Sequence, residues 1–187
     1  MQIKSIAVIG AGPLGRNIAF LAARAGYPTV VEDVNAETLE RALAAIRGGE
    51  LSASDGEAAI SRLSTSRSIE DAMRAAELII DTTLDELETK LEVFTIFDKF
   101  ARPGAILASC TASLSVSDIA TITFRAERCV GMQFADPASQ LKRVQIVRSA
   151  QTSEDVVAEC VEAGRRMGLE VAISCEPADL KREVETR

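Results

Sequence analysis

The sequence predicts a single α/β domain whose doubly wound, mostly parallel sheet carries helices on both faces. Two observations support this. Short runs of Ile, Val and Leu alternate with helical stretches along the chain. A glycine-rich turn, Gly10-x-Gly12-x-x-Gly15, directly follows the first such run. A length of 187 residues suits one domain and is short for two. We therefore expect the domain over residues 1–175 and a charged tail over 176–187.

The apolar runs place the strands, and the amphipathic stretches between them place the helices. Asn35 and Ser153 are the expected N-caps of the second and last helices, and Gly168 is expected to end the last one. Pro103 and Gly104 separate the long central helix from the strand after it. Strands are expected at about 4–9, 28–32, 63–66, 77–81, 105–109, 128–132, 143–148 and 170–174. Helices are expected near 13–25, 35–47, 54–62, 69–75, 86–100, 115–124 and 152–167.

The glycine-rich turn predicts dinucleotide binding, because each glycine meets a separate need. Gly10 permits the sharp strand-to-helix turn, Gly12 leaves room for a pyrophosphate, and Gly15 lets helix and strand pack closely. The helix that begins at Pro13 points free N–H groups and the positive end of its dipole toward the same place. Asp33 ends the second strand, where it would bind ribose hydroxyls and repel a 2′-phosphate. The pattern therefore predicts a Rossmann-type site for NAD.

Composition argues against several other functions. The net charge of −7 disfavours nucleic acid or an anionic membrane as a partner. There is no apolar run of bilayer-spanning length and the opening residues lack the layout of a signal peptide, so we expect a cytoplasmic protein. The four cysteines are scattered without a CxxC spacing and the chain has no histidine, which argues against a zinc site and predicts buried free thiols.

Three further segments follow the glycine-rich turn in a recognisable order. They are Asp-Glu-Leu-Glu-Thr-Lys at 85–90, Ala-Ser-Cys-Thr-Ala-Ser-Leu at 108–114 and Arg-Cys-Val-Gly-Met-Gln-Phe-Ala-Asp-Pro at 128–137. With these motifs the sequence resembles the NAD-binding domain of the 3-hydroxyacyl-CoA dehydrogenases. The resemblance and the turn together imply a set of cofactor-binding residues, namely Gly10, Gly12, Pro13, Leu14, Gly15, Asp33, Thr82, Asp85, Lys90 and Cys110.

The departures from this family fall on its catalytic positions. In the family a histidine takes the proton of the 3-hydroxyl, a glutamate twelve residues later orients it, and a serine and an asparagine hold the substrate oxygen. The resemblance places Gln133, Gln145, Ala112 and Asp136 at these four positions. An amide has no usable basicity near neutral pH, and alanine offers no side-chain hydrogen bond. We therefore expect little or no dehydrogenase activity on hydroxyacyl-CoA from this chain by itself.

Several residues admit two interpretations. Gln133 and Gln145 form either a neutral hydrogen-bonded pair or two positions under no constraint. Cys110 is either a nucleophile or a small residue that fills space. Lys90 is expected to contact the cofactor or a neighbouring carboxylate rather than to act as a catalyst. Asp136 is either a substitute base or an acid bonded to nearby backbone amides.

Three functions are consistent with these observations. In the first, the chain is an inactive NAD(H)-binding module. In the second, it is an oxidoreductase that uses Asp136 or a partner's residue on a smaller substrate. In the third, it is one subunit of a split dehydrogenase. After the last strand, residues 175–180 lack the Pro-Gly-Phe-x-x-Asn-Arg that leads into the family's helical domain. The segment after Asp33 also lacks the lysine-rich tail that contacts CoA in the family. The expected partners are NAD(H) and either a second copy of the chain or a separate substrate-domain chain.

Overall fold

The strands form one sheet of eight, in the order β3-β2-β1-β4-β5-β6-β7-β8. A computed structural model describes residues 2–48, 56–134 and 140–176. All neighbouring strands are parallel except β6 and β7, which confirms the predicted fold class. The strands are β1 Ile6–Ile9, β2 Thr29–Glu32, β3 Leu63–Ser66, β4 Leu78–Asp81, β5 Ile106–Ser109, β6 Cys129–Gln133, β7 Arg143–Arg148 and β8 Glu170–Cys175.

Helices cover both faces of the sheet and divide the core into two clusters. One cluster packs α1, α2 and α7 against the sheet through residues such as Phe20, Leu39 and Cys160. The other packs α4, α5 and α6 against the opposite face through residues such as Met73 and Phe94. The helices are α1 Pro13–Arg24, α2 Ala36–Arg47, α3 Gly56–Ile60, α4 Ile69–Met73, α5 Leu87–Phe100, α6 Val116–Ala120 and α7 Glu154–Arg166. No helix in the described ranges is long and apolar enough to cross a membrane.

The ends of the helices follow from local chemistry. Asn35 caps α2 as predicted, since its side-chain oxygen accepts hydrogen bonds from the N–H groups of Glu37 and Thr38. Ser153 is the N-cap residue of α7, but its hydroxyl donates to the carbonyl of Glu127 instead of accepting from the helix. Gly168 has a φ of +84° and ends α7, as predicted.

Helix α6 is shorter than predicted. The sequence predicts a helix to residue 124, whereas α6 ends at Ala120. Thr121 and Thr123 donate their hydroxyls to the carbonyls of Asp118 and Ala120, so side chains bind carbonyls near the helix end. Such local bonds compete with continuation of the helix.

Glu176 connects the end of β8 to α6. Its buried carboxylate accepts hydrogen bonds from the backbone N–H groups of Val116 and Ser117 and from the hydroxyls of Ser115 and Ser117. This first residue of the expected tail is therefore packed against the domain. Residues 177–187 lie outside the described ranges.

Candidate functional site

The glycine-rich turn lies at the carboxyl end of β1, where the backbone is tightly packed. Gly10 has a φ of +98°, and a Cβ on it would lie 2.8 Å from Oγ1 of Thr82. Thr82 donates that hydroxyl toward the carbonyls of Ile9 and Gly10, at 2.8 and 3.0 Å. A Cβ on Gly15 would lie 1.9 Å from the carbonyl oxygen of Gly10. The turn and the close approach of α1 therefore both require glycine.

Gly12, in contrast, faces open space. It is the N-cap of α1, and no heavy atom lies within 4 Å of the place where its Cβ would be. Pro13 occupies the first turn of α1, no side chain among the described residues caps this end, and the first turn has no acidic residue. Leu14 and Gly15 complete that turn. This arrangement leaves backbone N–H groups and the positive end of a twelve-residue helix available to a pyrophosphate.

The structure holds Asp33 beside this turn. One carboxylate oxygen accepts from the N–H of Ala11 at 3.0 Å, and the other accepts from the N–H of Asn35 at 2.9 Å. Each oxygen retains a further lone pair, and the side chain is only half-buried. Asp33 can therefore accept from ribose hydroxyls without giving up its bonds to the chain.

Two exposed apolar side chains flank this edge, and the sequence interpretation did not identify them. Val34 follows β2 and is 71% exposed, and Leu84 follows β4 and is 68% exposed. Strands β2 and β4 are the two neighbours of β1 in the sheet, so the two side chains lie on either side of the glycine-rich turn. The sequence signal that could have identified them is a large apolar residue directly after a strand, where loops are usually polar.

Lys90 is fully buried at the start of α5 and forms an ion pair with Asp81, with Nζ 2.8 Å from Oδ2. The same ammonium donates to the carbonyls of Thr83 at 3.1 Å and Cys110 at 3.3 Å. The sequence left open whether Lys90 contacts the cofactor or a carboxylate, and the structure contains the contact with the carboxylate of Asp81. Its three N–H donors meet three acceptors, and these acceptors lie at the ends of β4 and β5. Lys90 therefore ties together the two loops that border the candidate cofactor site.

Asp85 holds the loop after β5. Its carboxylate accepts from the N–H of Ala112 at 3.1 Å and from the hydroxyl of Ser113 at 3.2 Å. Partial burial opposes ionisation, but hydrogen bonds from Thr111, Ala112 and Ser113 outweigh it and lower the pKa of Asp85. The carboxylate therefore stays charged at neutral pH and fixes this loop.

Cys110 lies at the end of β5 and is buried. Burial, together with the negative charge of Asp81, raises the pKa of its thiol far above the ordinary value. A thiol that stays protonated is a poor nucleophile, which favours the interpretation of Cys110 as a small residue that fills space.

Three of the four family catalytic positions meet in one cleft of about 510 Å³. Ala112 follows β5, while Gln133 on β6 and Gln145 on β7 are directly paired in the antiparallel ladder. The titratable residues among the described lining are Cys175 and Glu176, and Glu176 is already bonded to α6. Asp136, the fourth position, lies outside the described residues.

Comparison with known protein families agrees with this arrangement of motifs. A family profile described as "3-hydroxyacyl-CoA dehydrogenase, NAD binding domain" matches residues 5–176. The chain belongs to the 3-hydroxyacyl-CoA dehydrogenase family. The match covers the NAD-binding domain of this family, which confirms the resemblance and the predicted cofactor class.

Individual members of the 3-hydroxyacyl-CoA dehydrogenase family are similar over most of this chain. A probable 3-hydroxybutyryl-CoA dehydrogenase of Bacillus subtilis (strain 168) is 34% identical over 176 residues, which are 90% of this chain and 61% of that protein. The human mitochondrial hydroxyacyl-coenzyme A dehydrogenase is 28% identical, over 93% of this chain and 59% of that protein. The crystal structure of 3-hydroxybutyryl-CoA dehydrogenase from Escherichia coli K12 superposes with a TM-score of 0.87 at 30% identity, covering 94% of this chain and 39% of that one.

The chain thus spans about three fifths of the length of the Bacillus and human relatives. What it shares with them is the domain that carries the glycine-rich turn, Asp33 and the cleft. The fold, the family and the cofactor class follow from this match, and the activity of the whole relatives does not transfer with it.

Proposed function

We propose that this chain is an NAD(H)-binding protein of the 3-hydroxyacyl-CoA dehydrogenase family with little or no dehydrogenase activity of its own. One contrast carries the proposal. The dinucleotide turn and its acid are complete, whereas Ala112, Gln133 and Gln145 provide no group that takes a proton from a substrate hydroxyl.

The binding half of the proposal is supported by the open space at Gly12 and the uncapped start of α1. Asp33 would hold the ribose of the adenosine half. Bound NAD⁺ supplies a hydride acceptor. The residues of this chain would grip the pyrophosphate through backbone N–H groups and select the 2′-hydroxyl over a 2′-phosphate by charge.

The pairing of Gln133 with Gln145 supports the catalytic half. A carboxylate at position 145 would stand without a cationic partner once the histidine is absent, and an unpaired charge is unfavourable at a half-buried position. Two paired amides place no charge in the cleft. Neutral side chains therefore occupy both positions of the family's acid–base pair, and neither half of that pair remains.

Calorimetric titration with NADH and NADPH tests the binding half. We expect NADH to bind clearly more tightly, because the 2′-phosphate of NADPH would meet the carboxylate of Asp33. Gly12→Val is the matched negative control: its side chain has room in the free protein but would occupy the space of the pyrophosphate. Equal binding of NADPH, or full NADH affinity in the Gly12→Val variant, would contradict the proposal.

A second candidate function is catalysis on another substrate, with Asp136 as the base or with a separate helical chain that completes the site. The observation in its favour is the cleft of about 510 Å³ beside Gln133 and Gln145, which has room for a small substrate. Turnover that Asp136→Asn abolishes would favour this candidate over an inactive module.

We also propose a cytoplasmic location. All four cysteines are free, and three of them are buried as predicted, whereas Cys175 is exposed. Free thiols suit a reducing compartment. Fractionation of cells that express the chain, followed by detection with an antibody, checks this.

A further inference from the structure

Glu32 is a buried carboxyl group at the cofactor edge that the proposed function does not yet use. It ends β2, directly before Asp33, and pairs in register with Ile9 on one side and Ser66 on the other. Its side chain is 2% exposed, and Oε1 is buried without a hydrogen-bond partner among the described residues. A buried acceptor without a donor is costly. The free protein therefore holds an acceptor that a bound group could satisfy.

The side chain of Glu32 faces the α4 and α5 side of the sheet. Side chains alternate along a strand, and Val30, two residues earlier, packs against the cluster that contains Ile9, Met73 of α4 and Phe94 of α5. Two residues separate the end of β3 from the start of α4, and α5 begins at Leu87 shortly after β4. Glu32 therefore lies at the carboxyl edge of the sheet, on the side where these two helices begin.

Exposed apolar side chains border this part of the carboxyl edge. Val34 and Leu84 are 71% and 68% exposed, and Leu87 at the start of α5 is also exposed. Exposed apolar side chains of this kind suit the faces of a flat aromatic ring. The ribose that Asp33 would bind is one bond from its base, so the base of a bound dinucleotide must lie near the neighbours of Asp33.

We infer that the Glu32 carboxyl accepts a hydrogen bond from the exocyclic amine of adenine, and so helps to select the base of the dinucleotide. The inference rests on the proposed function and adds a specificity-determining residue to it. An adenine presents an N–H donor at this position, whereas a hypoxanthine presents a carbonyl oxygen. Two acceptors would then face each other in a buried site, which disfavours the 6-oxo base.

The test compares NADH with reduced nicotinamide hypoxanthine dinucleotide by fluorescence titration. It is run at pH 8 because burial and the charge of Asp33 raise the pKa of Glu32 to about 7, so that above it the group has no proton to donate. The wild-type chain should prefer NADH by about tenfold or more. Glu32→Leu should bring the ratio of the two dissociation constants close to one, and Glu32→Gln should lower it because an amide can donate to a carbonyl.

Glu70→Gln is the matched control, since it removes an exposed carboxylate at the start of α4 and should leave the ratio unchanged. A wild-type ratio near one, or a preference that survives Glu32→Leu, would overturn the assignment of Glu32 alone. Absence of NADH binding would overturn both this assignment and the proposed function. Thermal melting shows whether each variant is folded; if Glu32→Leu is not, the wild-type and Glu32→Gln ratios decide.

Discussion

Glu32 is also the residue through which pH should act on the stability of the domain. Its carboxyl is desolvated by burial and lies near the charge of Asp33, and these two effects raise its pKa to about 7 from an ordinary 4.5. The folded state therefore retains a proton that the unfolded chain releases. The contribution of Glu32 to the free energy of unfolding falls as pH rises from about 4.5 to about 7 and is level above that range.

The prediction is that Glu32→Gln removes this pH dependence. The stability of the variant relative to the wild type should be higher at pH 8 than at pH 5, by an amount on the order of 3 kcal/mol for a pKa shift of this size. Urea unfolding of both proteins at the two pH values measures the gain. Parallel stability curves at both pH values would contradict it.

At the scale of residues, the requirements of the local backbone could be predicted from the sequence, whereas long-range contacts could not. The roles of Gly10 and Gly15 follow from the turn itself, and the structure shows the close contacts that demand them. The partners of Lys90 depend on which strands are neighbours, and this is information that no short window of sequence contains. The burial of Glu32 was missed for the same reason, since a charged residue at a strand end normally reaches solvent.

The Asp81–Lys90 ion pair operates at the scale of elements, because it joins β4, β5 and α5. Asp81 is fully buried and also accepts from the N–H and hydroxyl of Thr83, at 2.9 and 2.6 Å. Lys90→Met would leave that carboxylate buried without its cation, which costs roughly 3–5 kcal/mol in comparable sites. The prediction is a loss of stability of this order together with weaker NADH binding, because the loops after β4 and β5 lose their common anchor.

A double-mutant cycle measures this coupling by urea unfolding. Asp81→Asn removes the charge and keeps an acceptor for Thr83, so Asp81→Asn with Lys90→Met should recover most of the stability that Lys90→Met alone loses. If the free energy of unfolding of Lys90→Met lies within about 1 kcal/mol of the wild-type value, the ion pair does not anchor these elements.

Strands were predicted better than helix ends. A parallel strand covered on both faces reads as a continuous apolar run, and the strands β1, β4 and β5 are buried at every position. The end of α6 was predicted four residues too late, because periodicity does not reveal that Thr121 and Thr123 bond to carbonyls near the end of the helix.

At the scale of the whole molecule, the sheet ends in an exposed edge. Strand β8 pairs with β7 alone among the described strands, and its Ile173 is 57% exposed. An exposed edge with apolar side chains favours pairing with another chain. We predict that the chain self-associates as a dimer and that Ile173→Lys weakens the association. Multi-angle light scattering over a range of concentrations checks this, and a monomer at every concentration would count against it.

The central claim is binding without turnover, and one paired measurement tests it most directly. NADH fluorescence titration establishes binding, and the same preparation is assayed for NADH production from 3-hydroxybutyryl-CoA and NAD⁺. A matched variant restores the four family residues with Ala112→Ser, Gln133→His, Asp136→Asn and Gln145→Glu. Loss of a general base alone costs roughly 10²–10⁴ in rate.

We predict saturable NADH binding with no turnover above background in the wild-type chain. The restored variant should bind NADH as well, because its four substitutions leave the glycine-rich turn and Asp33 unchanged. Wild-type turnover at ordinary enzyme rates, about 1–10³ s⁻¹, would contradict the claim and make Asp136 the leading base.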